Sequence, residues 1–149
     1  MTRIEKIERE VEALTQEELA KFRAWIQAQG GDVRAVDDPT LLPQAPLVMP
    51  VPAPRSGHVA GIDAREVGLT CVALGAGRER KGDPIDPAVG IVLGPKVGDR
   101  VQAGETLFTV HARDRDAAEA ASQRLLAAYD WSNEPVLPPV LIHDVLYGG

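Results

Sequence analysis

The chain has 149 residues, a hydrophobic content of 44% and a formal net charge of −6, which suits one ordinary domain or a small domain with an appendage. The acidic balance argues against nucleic acid or an anionic membrane as the main partner. The single cysteine, Cys71, rules out an internal disulfide, and no apolar run approaches the roughly 18 residues that cross a bilayer. We therefore expect a cytoplasmic protein.

Residues 1–31 predict a helical hairpin. Four apolar residues recur at spacings of three and four, which places them on one helix face: Ile4, Ile7, Val11 and Leu14. This face is either an ordinary amphipathic surface or a seam that joins a homo-oligomer or a partner helix. Thr15 followed by Glu18 has the form of a capping box, so a second helix is predicted to begin at Gln16. Gly30 and Gly31 are expected to end it.

Residues 32–52 change in character and predict a proline-rich extended connector. Prolines at 39, 43, 46, 50 and 52 exclude a long helix and a central strand. The apolar residues between them are too numerous for a free linker, so part of the segment is expected to form an edge strand.

Residues 53–149 predict an α+β domain. Strands are expected over 57–63, 90–93, 96–101 and 106–111, and helices over 64–74 and 117–129. Asp116 with Glu119 predicts the cap of the last helix, whose inward face would carry Ala121 and Leu125, then Ala128 or Tyr129. The apolar tail over 136–146 predicts a further edge strand.

The stretch over 74–93 combines glycines, mixed charge and two Asp-Pro steps. Its candidate site residues are Gly75, Gly77, Arg78, Asp83 and Asp86. Gly75 is expected to end the preceding helix and Gly77 to allow a turn with positive φ, while Arg78 pairs with Asp83 or Asp86. The alternative is an anion contact, although the stretch lacks the Gly-Lys-Ser/Thr of a phosphate loop.

The residue pattern gives little support for a metal site, a reactive cysteine or an attached cofactor. The three histidines, His58, His111 and His143, lack metal-ligand spacing, and Cys71 lies on a predicted helix face as a small core residue. The glycine-flanked turn over 98–107 resembles that of biotinyl and lipoyl carrier domains, but no lysine follows it for attachment. No catalytic residue, cofactor or metal site is predicted.

Four motifs carry a wider resemblance. They are Leu-Gly-Ala-Gly-Arg (74–78), Asp-Pro-Ile-Asp-Pro-Ala-Val-Gly-Ile (83–91), Lys-Val-Gly-Asp-Arg-Val (96–101) and Gly-Glu-Thr-Leu (104–107). In this order they resemble the C-terminal domain of pyrimidine nucleoside phosphorylases, including bacterial thymidine phosphorylase. The resemblance runs from about Ala20 to about Asp144, and it implies an α/β-hammerhead-like, barrel-sandwich module over residues 53–149.

The resemblance also implies a family reaction, in which phosphate cleaves thymidine or uridine to free base and pentose 1-phosphate. The phosphate cradle and the residues that stabilise the base lie in earlier domains of that family, and no position of this chain matches them. We expect a detached C-terminal module that is inactive alone, which leaves open whether the chain is an enzyme. Two alternatives stay open: a subunit that completes a split phosphorylase from its missing domains, and a small protein whose hairpin binds a partner.

Overall fold

The computed structural model describes residues 13–140 of the chain. Its helices are α1 (Gln16–Ala28), α2 (Arg34–Asp37), α3 (Ala64–Cys71) and α4 (Arg115–Leu126), with a 3-10 turn at Pro39–Leu41 and a π-turn at Val72–Ala76. Its strands are β1 (Leu47–Pro52), β2 (Gly57–Ile62), β3 (Gly90–Leu93), β4 (Arg100–Val101), β5 (Thr106–Ala112) and β6 (Tyr129–Ser132). This mixture of helices and antiparallel strands confirms the α+β class.

One sheet has the strand order β1-β5-β3 and is antiparallel throughout. Its central strand β5 is buried from Leu107 to Ala112, including the polar residues Thr109 and His111. Strand β1 lies at an edge and pairs with β5 from Leu47 opposite Ala112 onwards. The edge strand predicted within the connector is thereby confirmed, and an edge tolerates Pro50 because a missing N–H there breaks no ladder between two neighbours.

The second sheet has the order β4-β2-β6 and includes a strand that the sequence pattern missed. The last helix was predicted to continue to Tyr129, but it ends at Leu126 and Tyr129 opens β6 opposite Ile62. Pairing with β2 and stacking of Tyr129 on Phe108, with ring centroids 5.9 Å apart, override the local helix pattern.

Strand β4 is shorter than predicted, because residues 96–99 form a turn instead of a strand. The Asp99 carboxylate accepts a hydrogen bond from the Lys96 amide at 2.7 Å, and the Asp99 amide donates to the Lys96 carbonyl at 3.0 Å. A side chain that bonds to a nearby main-chain amide in this way competes with strand pairing. In the tail, residues 136–140 form no strand, and residues 141–146 of the predicted edge strand lie outside the described residues.

Helices α3 and α4 cover the first sheet. The α4 cap is Asp114, whose carboxylate accepts from the Ala117 amide at 2.9 Å, so the predicted cap at Asp116 is two residues too late. Ala121 and Leu125 are buried as predicted. Helix α3 begins after its cap Asp63, and the predicted helix end at Gly75 is reached through the π-turn.

The core lies between the two sheets and α4. Its largest fully buried apolar side chains are mostly aliphatic: Val59, Val101, Leu107, Phe108, Val110 and Leu125. Helix α1 stands apart from this core and contains no buried residue, although its predicted capping box between Thr15 and Glu18 is confirmed. The helix predicted to precede it, with Ile4, Ile7 and Val11, lies outside the described residues, except that its last residue on that face, Leu14, forms a bend instead of a helix.

Candidate functional site

The charged loop, residues 75–89, joins the π-turn after α3 to strand β3. It begins at Gly75, whose φ of +105° ends the helix in a conformation that L side chains rarely adopt. The Asp86 amide donates to the Gly75 carbonyl at 2.9 Å and closes the base of the loop. A Cβ at Gly75 would lie 3.2 Å from the Arg113 guanidinium, so a side chain here would also require Arg113 to shift by a few tenths of an ångström.

Asp86 ties the loop to the end of strand β5. Its carboxylate accepts from Arg113 Nε at 2.8 Å and from the Ala88 amide at 3.0 Å. The Arg113 hydrogen bond, followed by that from Ala88, holds the pKa of the Asp86 carboxyl below its usual range. Asp86 therefore anchors the loop as a carboxylate.

Asp83 shapes the tip of the loop. Its carboxylate accepts from the Arg80 amide at 2.7 Å, and its carbonyl accepts from Arg78 Nε at 3.1 Å. The predicted ion pair of Arg78 with a carboxylate is thus replaced by a main-chain hydrogen bond. The partner of Asp86 is Arg113, which the sequence reasoning missed. The antiparallel pairing of β3 with β5 brings the residues before Gly90 next to those after His111.

The loop exposes three cationic side chains, Arg78, Arg80 and Lys81. Within residues 13–140, neither Arg80 nor Lys81 forms an ion pair, because the carboxylates of Asp83 and Asp86 are engaged elsewhere. Chemically, the tip can attract an anion through charge. It offers neither a nucleophile nor a proton-transfer group with a matched partner.

Comparison with known proteins places this loop in a family. A family model, the pyrimidine nucleoside phosphorylase C-terminal domain, matches residues 58–132, half of the chain. The chain belongs to this family. The matched residues include the whole charged loop, both sheets except β1 and the first residue of β2, and the two helices that cover the first sheet.

Curated relatives show how much of an enzyme the chain represents. It is 43% identical over 126 residues to a pyrimidine-nucleoside phosphorylase of Geobacillus stearothermophilus, and 39% identical over 128 residues to one of Staphylococcus aureus strain USA300. These alignments cover 85% and 86% of this chain but 29% of each relative. The chain is thus a pyrimidine nucleoside phosphorylase C-terminal module, and it spans less than a third of its relatives' length.

Gly77 holds its place in the phosphorylase module for a reason other than the predicted one. Its φ is −143°, which is extended backbone, so the expected positive φ is wrong. A Cβ at this position would lie 2.7 Å from Cγ2 of Val72, closer than real Cβ contacts. The glycine is required by the close approach of the chain to the π-turn.

The remaining reactive side chains of the phosphorylase module are dispersed. Burial raises the pKa of the Cys71 thiol, which is half-buried, and burial raises the pKa of Tyr129 to about 12. Within residues 13–140, no three His, Cys, Asp or Glu side chains lie close enough to hold a metal ion. His58 and His111 lie on different sheets, and His143 is outside the described residues.

A shallow groove of about 170 Å³ separates the π-turn from α4. Its walls are mainly alanine, with Thr70, Leu74 and Arg124 completing them. Arg124 donates to the Glu66 carboxylate at 2.8 Å, so the one charged wall residue is already paired. The groove offers an apolar surface without catalytic groups. In the described part of the chain, no helix combines the length and apolarity needed to pass through a bilayer.

Proposed function

We propose that this chain acts as the C-terminal module of a pyrimidine nucleoside phosphorylase and works only together with the family's catalytic domains. The observation that carries the proposal is the alignment, which takes in 85% of the chain and 29% of the Geobacillus relative. Those domains lie on a separate chain or on further sequence of the same protein. In either case the module is an accessory part that completes a phosphorylase.

The chemistry of phosphorolysis supports this division. A phosphate oxygen bonds to C1′ of the pentose while the bond from C1′ to the base breaks, and the base leaves with the electron pair and takes up a proton. Preorganised donors must hold phosphate and stabilise the leaving base, and each of these effects contributes several kcal/mol. The cations of the charged loop are exposed at the surface, and the groove beside α4 is apolar apart from Arg124, which is paired with Glu66. The chain alone is therefore inactive.

Several finer features belong to the same proposal. The module over residues 53–149 has the α/β-hammerhead-like, barrel-sandwich architecture, behind a helical hairpin over 1–31 and a connector over 32–52. The two three-stranded sheets support this architecture, and one of them takes its edge strand β1 from the connector. The seam through Ile4, Ile7, Val11 and Leu14 joins a second copy or a partner helix. The protein works in the cytoplasm, as expected for an enzyme of nucleoside metabolism.

The charged loop has a structural role in this proposal. Gly75 and Gly77 fix its first turn, Asp83 and Asp86 hold its tip and base, and Arg78 supports the tip. Anion contact by Arg78 remains the alternative. Inorganic phosphate titrated into the wild type and Arg78→Ala distinguishes them, because only the alternative predicts binding that the substitution removes.

The test of the function is a phosphorolysis assay with thymidine and uridine. The purified chain should release no free base above background. The Geobacillus relative without its matching C-terminal part should gain activity when the chain is added. Turnover by the chain alone that rises with its concentration and is lost in Arg78→Ala would contradict the proposal. So would a relative that gains no activity from the added chain.

A further inference from the structure

Helix α1 carries an apolar face that the described residues cover only in part. We call Leu19, Phe22, Trp25 and Ile26 the aromatic face of α1. Phe22 and Trp25 stack with ring centroids 6.3 Å apart, yet Trp25 keeps 60% of its surface exposed and no residue of the helix is buried. A helix of 13 residues is marginal in water without packing, so this face requires a partner surface.

The charged side chains of α1 have partners within the chain, so the aromatic face is the main surface through which this helix can contact a partner. Lys21 pairs with Glu17 one turn earlier, and Arg23 pairs with Asp37 of α2. The helix therefore carries its ion pairs within the chain and has no net charge over Gln16–Ala28. Since the whole chain is acidic, this neutral helix is suited to an apolar surface rather than to a charged partner.

The alignments indicate which surface covers it. The Staphylococcus alignment spans 128 of the 149 residues, so it includes Phe22 and Trp25 wherever it begins. Both aromatic residues thus lie inside the region shared with the phosphorylases, whose remaining length holds the other domains. Since the matched family domain is a C-terminal one and α1 precedes it in this chain, α1 lies on the side of that domain that adjoins the rest of those enzymes in sequence.

We propose that the aromatic face of α1 docks on an apolar surface of the phosphorylase catalytic part, with Trp25 as its central anchor. This inference rests on the proposed function. Buried tryptophans dominate the binding energy of many interfaces, because they combine a large apolar area with few rotatable bonds. The face has two other candidate occupants, a second copy of the chain and residues 1–12.

Binding of the full chain to the Geobacillus relative that lacks its matching C-terminal part provides the test. Trp25→Ala should weaken binding by about thirtyfold, as for the truncation of an interface hot spot. Leu137→Ala is the matched control, because Leu137 is 89% exposed and lies in the tail instead of on α1. It should bind like the wild type. Equal binding by wild type and Trp25→Ala would overturn the proposal.

A second measurement covers the case in which the shortened relative does not fold. The full chain then replaces the matching part of the relative, and hydrogen exchange of the α1 amides is compared with that in the free chain. Docking predicts at least about tenfold slower exchange in the fused protein, because opening the helix then also breaks the interface. Unchanged exchange, or a fused protein that does not fold, would overturn the proposal.

The other occupants give different results in the free chain. A dimer that sedimentation detects in the wild type but not in Trp25→Ala assigns the face to a second copy. Resistance of Trp25 to acrylamide quenching in a monomer, lost when residues 1–12 are deleted, assigns it to that segment. Either result overturns the docking proposal. Tight, Trp25-dependent binding without recovered turnover would instead overturn the proposed function and leave the interface standing.

Discussion

At the residue scale, two side-chain requirements fix the charged loop. Gly75 supplies a backbone conformation that other residues avoid, and Asp86 supplies a carboxylate for Arg113. Both contacts lie at the base of the loop, whereas Arg78 contributes a single main-chain hydrogen bond near the tip. The base should therefore control the stability of the loop more than the tip does.

Gly75→Ala should lower the free energy of unfolding by about 1–3 kcal/mol, because alanine at positive φ is strained and its Cβ approaches Arg113. Gly68→Ala is the control of opposite sign. Gly68 lies inside α3 with nothing near an added Cβ, so alanine should stabilise by up to about 1 kcal/mol. Urea unfolding measures both, and equal effects would contradict the role of Gly75.

Asp86→Asn should make stability less dependent on pH. Since folding lowers the pKa of Asp86, its contribution is present above the ordinary pKa of aspartate and is lost as the pH falls through the lowered value. The wild type should thus melt at a higher temperature than Asp86→Asn. This difference should be constant near neutral pH and shrink below about pH 4. Arg113→Gln should lower stability at neutral pH by a similar amount. The double variant of Asp86→Asn and Arg113→Gln should be only slightly less stable than either single variant. A melting-temperature difference that persists in acid would contradict the role of the Asp86 carboxylate as an anchor.

At the element scale, α1 and α4 differ in what stabilises them. Both begin with a side-chain cap, at Thr15 and Asp114. Helix α4 buries Ala118, Ala121 and Leu125 against the core, whereas α1 buries nothing. Tertiary packing therefore couples α4 to global unfolding and leaves α1 to its local interactions.

Loss of each cap should reveal this difference. Asp114→Ala should lower the free energy of unfolding by about 0.5–2 kcal/mol, because the helix it caps belongs to the core. Thr15→Ala should reduce the helical circular dichroism signal of the native protein while its urea midpoint stays within error. If Thr15→Ala shifts the midpoint as far as Asp114→Ala does, α1 is part of the cooperative unit after all.

At the scale of the whole molecule, strand β1 decides where the folded unit begins. Val51 is buried and belongs to the core cluster, and β1 pairs with β5 along its length. No residue of α1 belongs to that cluster. Residues 32–149 should consequently fold with the melting temperature of the full chain.

Shortening the chain further to residues 53–149 should cost several kcal/mol of stability. It removes Val51, whose burial alone contributes about 1.5–3 kcal/mol, and it leaves one edge of β5 unpaired. Thermal unfolding of the two fragments gives the comparison. Equal melting temperatures would place β1 outside the cooperative unit and support a boundary at residue 53.

The sequence by itself determined the features that depend on neighbouring residues. The capping box at Thr15, the helix end at Gly75 and the edge position of the proline-containing β1 follow from local backbone chemistry. The four motifs over residues 74–107 similarly identified the family, because their order is a property of the chain. These predictions needed no knowledge of distant contacts.

Only the tertiary structure decided the features that depend on residues far apart in sequence. Strand β6 forms because Tyr129 meets Ile62 and Phe108, although its own sequence continues a helical pattern. Arg113 becomes the partner of Asp86 because β3 pairs with β5 and brings them together across 27 residues. Position 77 requires glycine because a Cβ there would clash with Val72, not because of its φ. Local patterns specify which conformations a segment prefers, whereas pairing and packing select among them.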